Sequence, residues 1–290
     1  MTATPHGGPP RPAAPAGEYC DASLAHLLDL VTENAAEFHV GRGIEPLHQL
    51  RIATRKLRAT LSFFEPLFHG DDNLERARVR LRKLALPSGQ LRDLDVFLGH
   101  LGDGVAPVAP GDRKPLRRAL VTRRAQLADD VVRVLGSRRW RRALERVRAG
   151  AAGGVWRAAP SADVDARAFV SERLDLWWWA LLAGSEGLAE MEAAPRHRVR
   201  IEAKKMRYVT EVTADLFADR AAERSAFTEG LKTIQDELGA LNDAAVAEHI
   251  VREAGFTPRT VAVDTVDHTG KALAARAELI ARGPYWSGVR

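Results

Sequence analysis

Cysteine is nearly missing from this sequence: Cys20 is the only one among 290 residues. That excludes an intrachain disulfide and a thiolate zinc cluster, and it makes an intracellular, cytoplasmic site the expectation. Long hydrophobic runs are missing as well. The longest, Leu174 to Ala183 around Trp177-Trp178-Trp179, covers ten residues against the ~20 that a spanning helix needs. No membrane partner is expected, and the three tryptophans read as core or, where exposed, as a partner surface. Met1 to Gly17 is rich in Pro, Ala and Gly and has no apolar h-region, so it reads as a disordered leader rather than a signal peptide. No GxxxxGK[ST] phosphate loop occurs. His48 and His197 are followed at ligand spacing by arginines rather than carboxylates, and the other seven histidines are scattered, so no metal and no cofactor are expected.

What is present is charge, unevenly placed. The formal net charge is +5, but residues 1–150 hold 25 Lys+Arg against 17 Asp+Glu, while 151–290 hold 18 against 21. Such asymmetry points to a polyanionic partner met mainly by the first half. Hydrophobic residues at 46% are enough for a buried core in a chain of this length.

The cations follow a pattern. His48-Gln49-Leu50-Arg51-Ile52-Ala53-Thr54-Arg55-Lys56-Leu57-Arg58 and His197-Arg198-Val199-Arg200-Ile201-Glu202-Ala203-Lys204-Lys205-Met206-Arg207 both reduce to H-x-x-R-x-x-x-[RK]-K-x-R. On a helix, His48, Arg51, Arg55 and Arg58 fall within roughly 80° of one another. Leu47, Leu50, Ala53, Thr54, Leu57 and Leu61 gather opposite, so the stripe is expected to face away from the core. A single charged stripe usually marks a solvated face. Two stripes without an acidic interruption are harder to explain that way, because like charges three and four apart oppose folding by roughly 0.2–0.5 kcal/mol per pair. A bound anion would remove that opposition.

Helical periodicity organises the chain into two similar halves. The first half predicts helices over Glu18–Phe38 and from Pro46 to about Phe68, followed by one from Asn73 that is interrupted at Pro87-Ser88-Gly89 and resumes to Leu101. After the loop from Gly102 to Gly111 come a helix from Lys114 to Leu135 and a last piece ending near Arg148. Residues 150–160 read as a linker. The second half predicts helices over Asp163–Met191, from Pro195 to Phe217, over Ala221–Ala254, and between Arg259 and Arg282, with β-like Val261-Ala262-Val263 blurring the last start and Pro284-Tyr285-Trp286 packing back. Gly89-Gln90-Leu91-Arg92-Asp93-Leu94-Asp95-Val96 aligns with Gly239-Ala240-Leu241-Asn242-Asp243-Ala244-Ala245-Val246, in nearly the register that relates the two stripes. The expectation is an internal duplication and an all-α fold of two pseudo-symmetric up-and-down four-helix bundles, at residues 18–149 and 161–288.

On the two stripes, on Leu91-Arg92-Asp93-Leu94-Asp95-Val96, on Lys205-Met206-Arg207-Tyr208-Val209-Thr210-Glu211 and on Leu238-Gly239-Ala240-Leu241-Asn242-Asp243, the chain resembles the CHAD (conserved histidine α-helical domain) family. The resemblance covers about residues 18–288. It implies two four-helix bundles with a basic surface or pore that binds inorganic polyphosphate, through His48, Arg51, Arg55, Lys56, Arg58, Arg82, Arg92, His197, Arg200, Lys204, Lys205 and Arg207. By helical angle Lys56 and Lys205 stand off-centre from their stripes. Asn242 replaces the charge that Arg92 supplies in the first half. No E-x-E-x-K segment of a triphosphate tunnel enzyme is present.

Two other classes stay open. A polyphosphate-processing enzyme would use His48 or His197 as nucleophile, or Mg²⁺ held by Asp93 and Asp95 or by Asp236 and Asp243; Asp93 reads more simply as a partner of a neighbouring arginine. A nucleic-acid binder would use the Arg-rich segment from Arg113 to Arg148, but no helix-turn-helix or stacking aromatic series accompanies it. Oligomeric state, a homo-oligomer included, is left open, as is whether polyphosphate is sensed, stored or used to bring the protein to polyphosphate granules.

Overall fold

Leucines and alanines spaced three and four apart put one apolar face on nearly every segment, and in the computed structural model each of those faces is covered by another helix. The structure describes residues 14–68, 71–259 and 267–287, and among these it has ten α-helices and no strand beyond an isolated bridge between Pro15 and Asp165. The helices are α1 (Ala16–Gly41), α2 (Ile44–Phe63), α3 (Asp72–Leu84), α4 (Leu86–Gly102), α5 (Arg113–Leu135), α6 (Arg138–Ala152), α7 (Ala166–Gly184), α8 (Ala193–Val212), α9 (Ala221–Glu253) and α10 (His268–Arg282). None is long and apolar enough to cross a membrane.

Local chemistry sets the boundaries. Arg42 adopts the left-handed conformation at φ 51° and ends α1, an uncommon choice for a residue with a side chain. Asp71, Ser137, Asp165 and Asp267 cap α3, α6, α7 and α10 with side-chain oxygens that accept from backbone N–H groups of the first turn. The second helix stops at Phe63 and continues as a short 3-10 turn over Glu65–Phe68. The interruption expected at Pro87 falls earlier, at Ala85, because Pro87 is well placed in the first turn of α4, where its missing N–H leaves no bond unmade. In the second half the matching stretch is the single helix α9, unbroken over 33 residues.

The core does not divide where the sequence suggested a linker. One buried cluster gathers Tyr19, Leu24, Leu57 and Phe63 from the first half with Val170, Met206, Phe217 and Trp286 from the second. A smaller cluster around α4 and α5 also draws in Val251 from α9. Within the 150–160 segment, α6 continues to Ala152, and Trp156 is buried with its indole Nε1 donating to Asp21 at 2.5 Å. Gly17 meets that indole face to face; a Cβ there would stand 2.0 Å from the ring. The end of the expected leader is likewise built in, since Ala16 N and Gly17 N donate to the carbonyls of Val164 and Ala162. Residues 1–13 and Val261-Ala262-Val263 lie outside the described residues.

Among the three tryptophans Trp178 is core, Trp177 is half-buried with its ring edge against Phe63, and Trp179 is exposed. Tyr285 and Trp286 do pack back: both are buried, and Trp286 Nε1 donates to Asp175 at 2.7 Å.

Candidate anion-binding site

α2 and α8, the two helices that carry the stripes, lie against each other at the centre of the molecule. Their cations therefore do not face away from the protein. Together with the α3–α4 junction they line a cleft of about 420 Å³. The apolar side of α2 (Leu47, Leu50, Ala53, Leu57) is buried in the core, which rotates Arg51, Arg55 and Arg58 into this cleft. Val199, Ala203 and Met206 do the same for α8 and turn Arg200, Lys204 and Lys205 inward. Arg78 and Arg82 of α3 close a third side, and His197 stands exposed at the mouth. No aspartate or glutamate is among the lining residues.

The same small device holds the stripe arginines in both halves. Arg51 Nη1 donates to Ser88 Oγ at 3.5 Å and lies over Gly89, where a Cβ would be 3.2 Å away. Arg200 Nε donates to the carbonyl of Gln235 at 3.3 Å and lies over Gly239, with a Cβ again 3.2 Å away. The aligned glycines thus serve close approach to a guanidinium rather than a turn.

Crowding like charges at partial burial disfavours their protonated forms. Burial, reinforced by Arg55, lowers Arg51 to about 10. Burial and Arg82 lower Arg58 to about 10, and Arg58 Nε is buried without a hydrogen-bond partner. Lys204 is lowered furthest, from 10.5 to about 7, by burial and then by Arg55, Arg200, Arg207 and Arg51. Among the lining cations Arg78 pairs with Glu75 and Lys205 with Glu202, which leaves the uncompensated charge on Arg51, Arg58 and Lys204.

Other expected site residues lie elsewhere. Lys56 and Arg207 converge on Glu211, Lys56 Nζ at 2.9 Å from one carboxylate oxygen and Arg207 Nη1 on the other. Neither lines the cleft; the carboxylate comes from the turn after the motif, and only the α2–α8 packing brings it to Lys56. His48 and Arg92 sit together beyond Arg51, and burial followed by Arg92 holds His48 below the ordinary histidine range. Asp93 reaches solvent there but is walled in enough for burial to raise its carboxyl, against the opposing pull of Arg51 and Arg55. Asp95 instead accepts from Arg124 at 2.6 Å. The side chain of Asn242 is not among the described ones. Arg78, Ser62 and Tyr208 also line the cleft without having been singled out; the signal for Arg78 was its position four residues before Arg82 on one face of α3.

A family model of the CHAD domain matches residues 22–252. The crystal structure of the CHAD domain from the plant Ricinus communis is similar in fold, with a TM-score of 0.72 at 23% identity over 93% of this chain and 87% of that one. No curated protein matches.

Proposed function

The chain belongs to the CHAD family, and from that premise we propose that it binds inorganic polyphosphate in the cleft between α2 and α8. One observation carries the reading: six arginines, two lysines and a histidine line one concave surface with no carboxylate among them. A surface that only needed solubility would mix signs. A chain of phosphates offers anionic oxygens and no base edges, so its recognition reduces to charge-assisted hydrogen bonds along a line. From Arg51 to Arg58 the lining of α2 rises ~10 Å, and two such helices side by side suit several successive phosphates. Arginine forks grip phosphate oxygens in pairs, while Lys204 and Lys205 supply point charges.

The proposal is for binding without turnover. The cleft lining has no carboxylate to hold Mg²⁺ or to act as a base, and Asp93, which is not among the lining residues, feels Arg51, Arg55 and Arg200 together with Asp243. Polyphosphate incubated with the protein and Mg²⁺ is expected to release no phosphate.

The test is titration calorimetry with polyphosphate over a range of salt. Log affinity should fall linearly with log salt, and Arg51→Gln with Arg200→Gln should flatten that slope by about 1 to 2, as removal of two phosphate contacts requires. Salt-independent binding, or a double variant with wild-type slope, sinks the reading. DNA of equal total charge serves as the competitor that separates a polyphosphate site from a general polyanion site.

A further inference from the structure

The cleft accounts for one flank of α3. Arg78 and Arg82 line it, whereas Arg80 lies on the opposite flank and Lys83 on the crest between them. On that other side α3 packs against α6. Gly150 makes the approach close, since a Cβ there would stand 2.7 Å from Leu74 Cδ2. At the opposite end Trp140 of α6 meets Leu84 and Ala85 around a small recess. The two helices are therefore antiparallel, and the start of α6 lies beside the lip of the cleft.

The polar side of α6 is as single-signed as the stripes. Trp140, Ala143, Val147 and Ala151 bury one face. Arg148, on the flank toward α1, pairs with Asp29. Arg139, Arg142 and Arg146 occupy the other flank, toward α3. Among the described residues, none of these three, nor Arg80 or Lys83, makes an ion pair with a carboxylate, although neighbours such as Arg76 and Arg78 do. Glu145 is the single carboxylate on the crest of α6. Arg139, Arg142 and Arg146 are spaced three and four apart, so their repulsion works against the helix that carries them.

We propose that the α3–α6 groove holds the continuation of a polyphosphate chain that has left the cleft over Arg82 and Lys83, and that this protein thereby discriminates long polymers from short ones. The inference rests on the cleft reading and extends it. Charge and continuity select the occupant. Nucleic acid on such a surface would use stacking rings, and the only aromatic side chain of α3 and α6, Trp140, is buried at 4% exposure.

The experiment compares the full chain with its Arg139→Gln/Arg142→Gln/Arg146→Gln variant, using tripolyphosphate, long-chain polyphosphate and single-stranded DNA as separate probes. Circular dichroism checks folding, and the matching triple lysine variant keeps the charge if the glutamine one is destabilised. Tripolyphosphate affinity should be unchanged, because it fits within the cleft. Long-chain affinity should drop by ~tenfold or more, with the log–log salt slope lower by about 2, and the lysine variant should restore both. Unchanged long-chain affinity and slope overturn the proposal while leaving the cleft reading intact. Loss of DNA binding alone assigns the groove to nucleic acid and overturns it too. If Arg51→Gln/Arg200→Gln leaves tripolyphosphate binding untouched, the cleft reading fails, and this proposal with it.

Discussion

Lys204 stands where Arg51 and Arg55 of α2 meet Arg200 and Arg207 of its own helix, and near neutral pH it is poised between its two charge states. With the folded value depressed to about 7 from 10.5, the unfolded chain holds the extra proton between those limits. This group alone therefore makes stability rise as pH rises through that window, and leaves it level below. An anion in the cleft favours the protonated form. Binding above pH ~7 must then take up a proton, and polyphosphate affinity is expected to fall between pH 6 and 9. Calorimetry in buffers of different ionisation enthalpy counts that proton; Lys204→Met should abolish the uptake and flatten the profile. Burial, and then Arg92, lower His48 as well. The sequence located Lys204 within its stripe but not its depressed affinity for a proton, because burial and the arrival of Arg51 and Arg55 from α2 are products of packing. For the same reason Lys56 and Arg207 read as site residues: Glu211, which engages both, lies outside the repeated motif.

Helices were legible wherever one period governed a segment. α2 and α8 follow from the spacing of their leucines, valines and arginines, whereas the left-handed turn between α1 and α2 falls on Arg42 rather than on either flanking glycine. The α3–α4 break was legible only approximately, since Pro87 marks the neighbourhood while the chain chooses Ala85 so that proline can open a helix. The glycines of the second repeated motif were visible as a register marker, but their use became clear only with the arginines over them. That use can be tested. Gly→Ala within a helix gains ~0.5–1 kcal/mol from the unfolded chain. At Gly89 the new methyl would press on Nη1, the far end of Arg51, whose contact with Ser88 is already long at 3.5 Å and can yield. Gly89→Ala should raise the melting temperature slightly and change affinity little. At buried Gly239 the methyl would meet Nε, Nη2 and Cζ of Arg200 together. Gly239→Ala should lose the stability gain, break the bond from Arg200 to Gln235 and weaken polyphosphate binding several-fold. Thermal melts and titrations of the two variants decide this.

Across the whole molecule the sequence suggested two bundles joined by a tether, and the packing joins them through one continuous core. Neither stripe could announce this, because a periodicity shows that a face is buried but not what buries it. Tyr19 of α1 donates to Asp215 at 2.6 Å, Phe64 stacks on Phe169, and Trp156 fills the space beside Gly17. Trp156→Ala should accordingly destabilise the entire protein by ~3–5 kcal/mol in a single cooperative unfolding transition. Residues 18–149 expressed alone should bind a hydrophobic dye and melt without cooperativity. A sharp melt of that fragment would restore the picture of two autonomous bundles.

Their place in the core gives Tyr285 and Trp286 a further significance. The ring of Trp286 is held at right angles by Phe227 and Tyr285, and its indole reaches Asp175 on α7. Tyr285 and Trp286 close a core whose opposite wall, α7, stands more than a hundred residues earlier in the sequence. A proteolytic cut after α10 that released Tyr285 and Trp286 would therefore strip Asp175 of its indole donor and open the aromatic core to water, so cleavage there should unfold the protein rather than trim it.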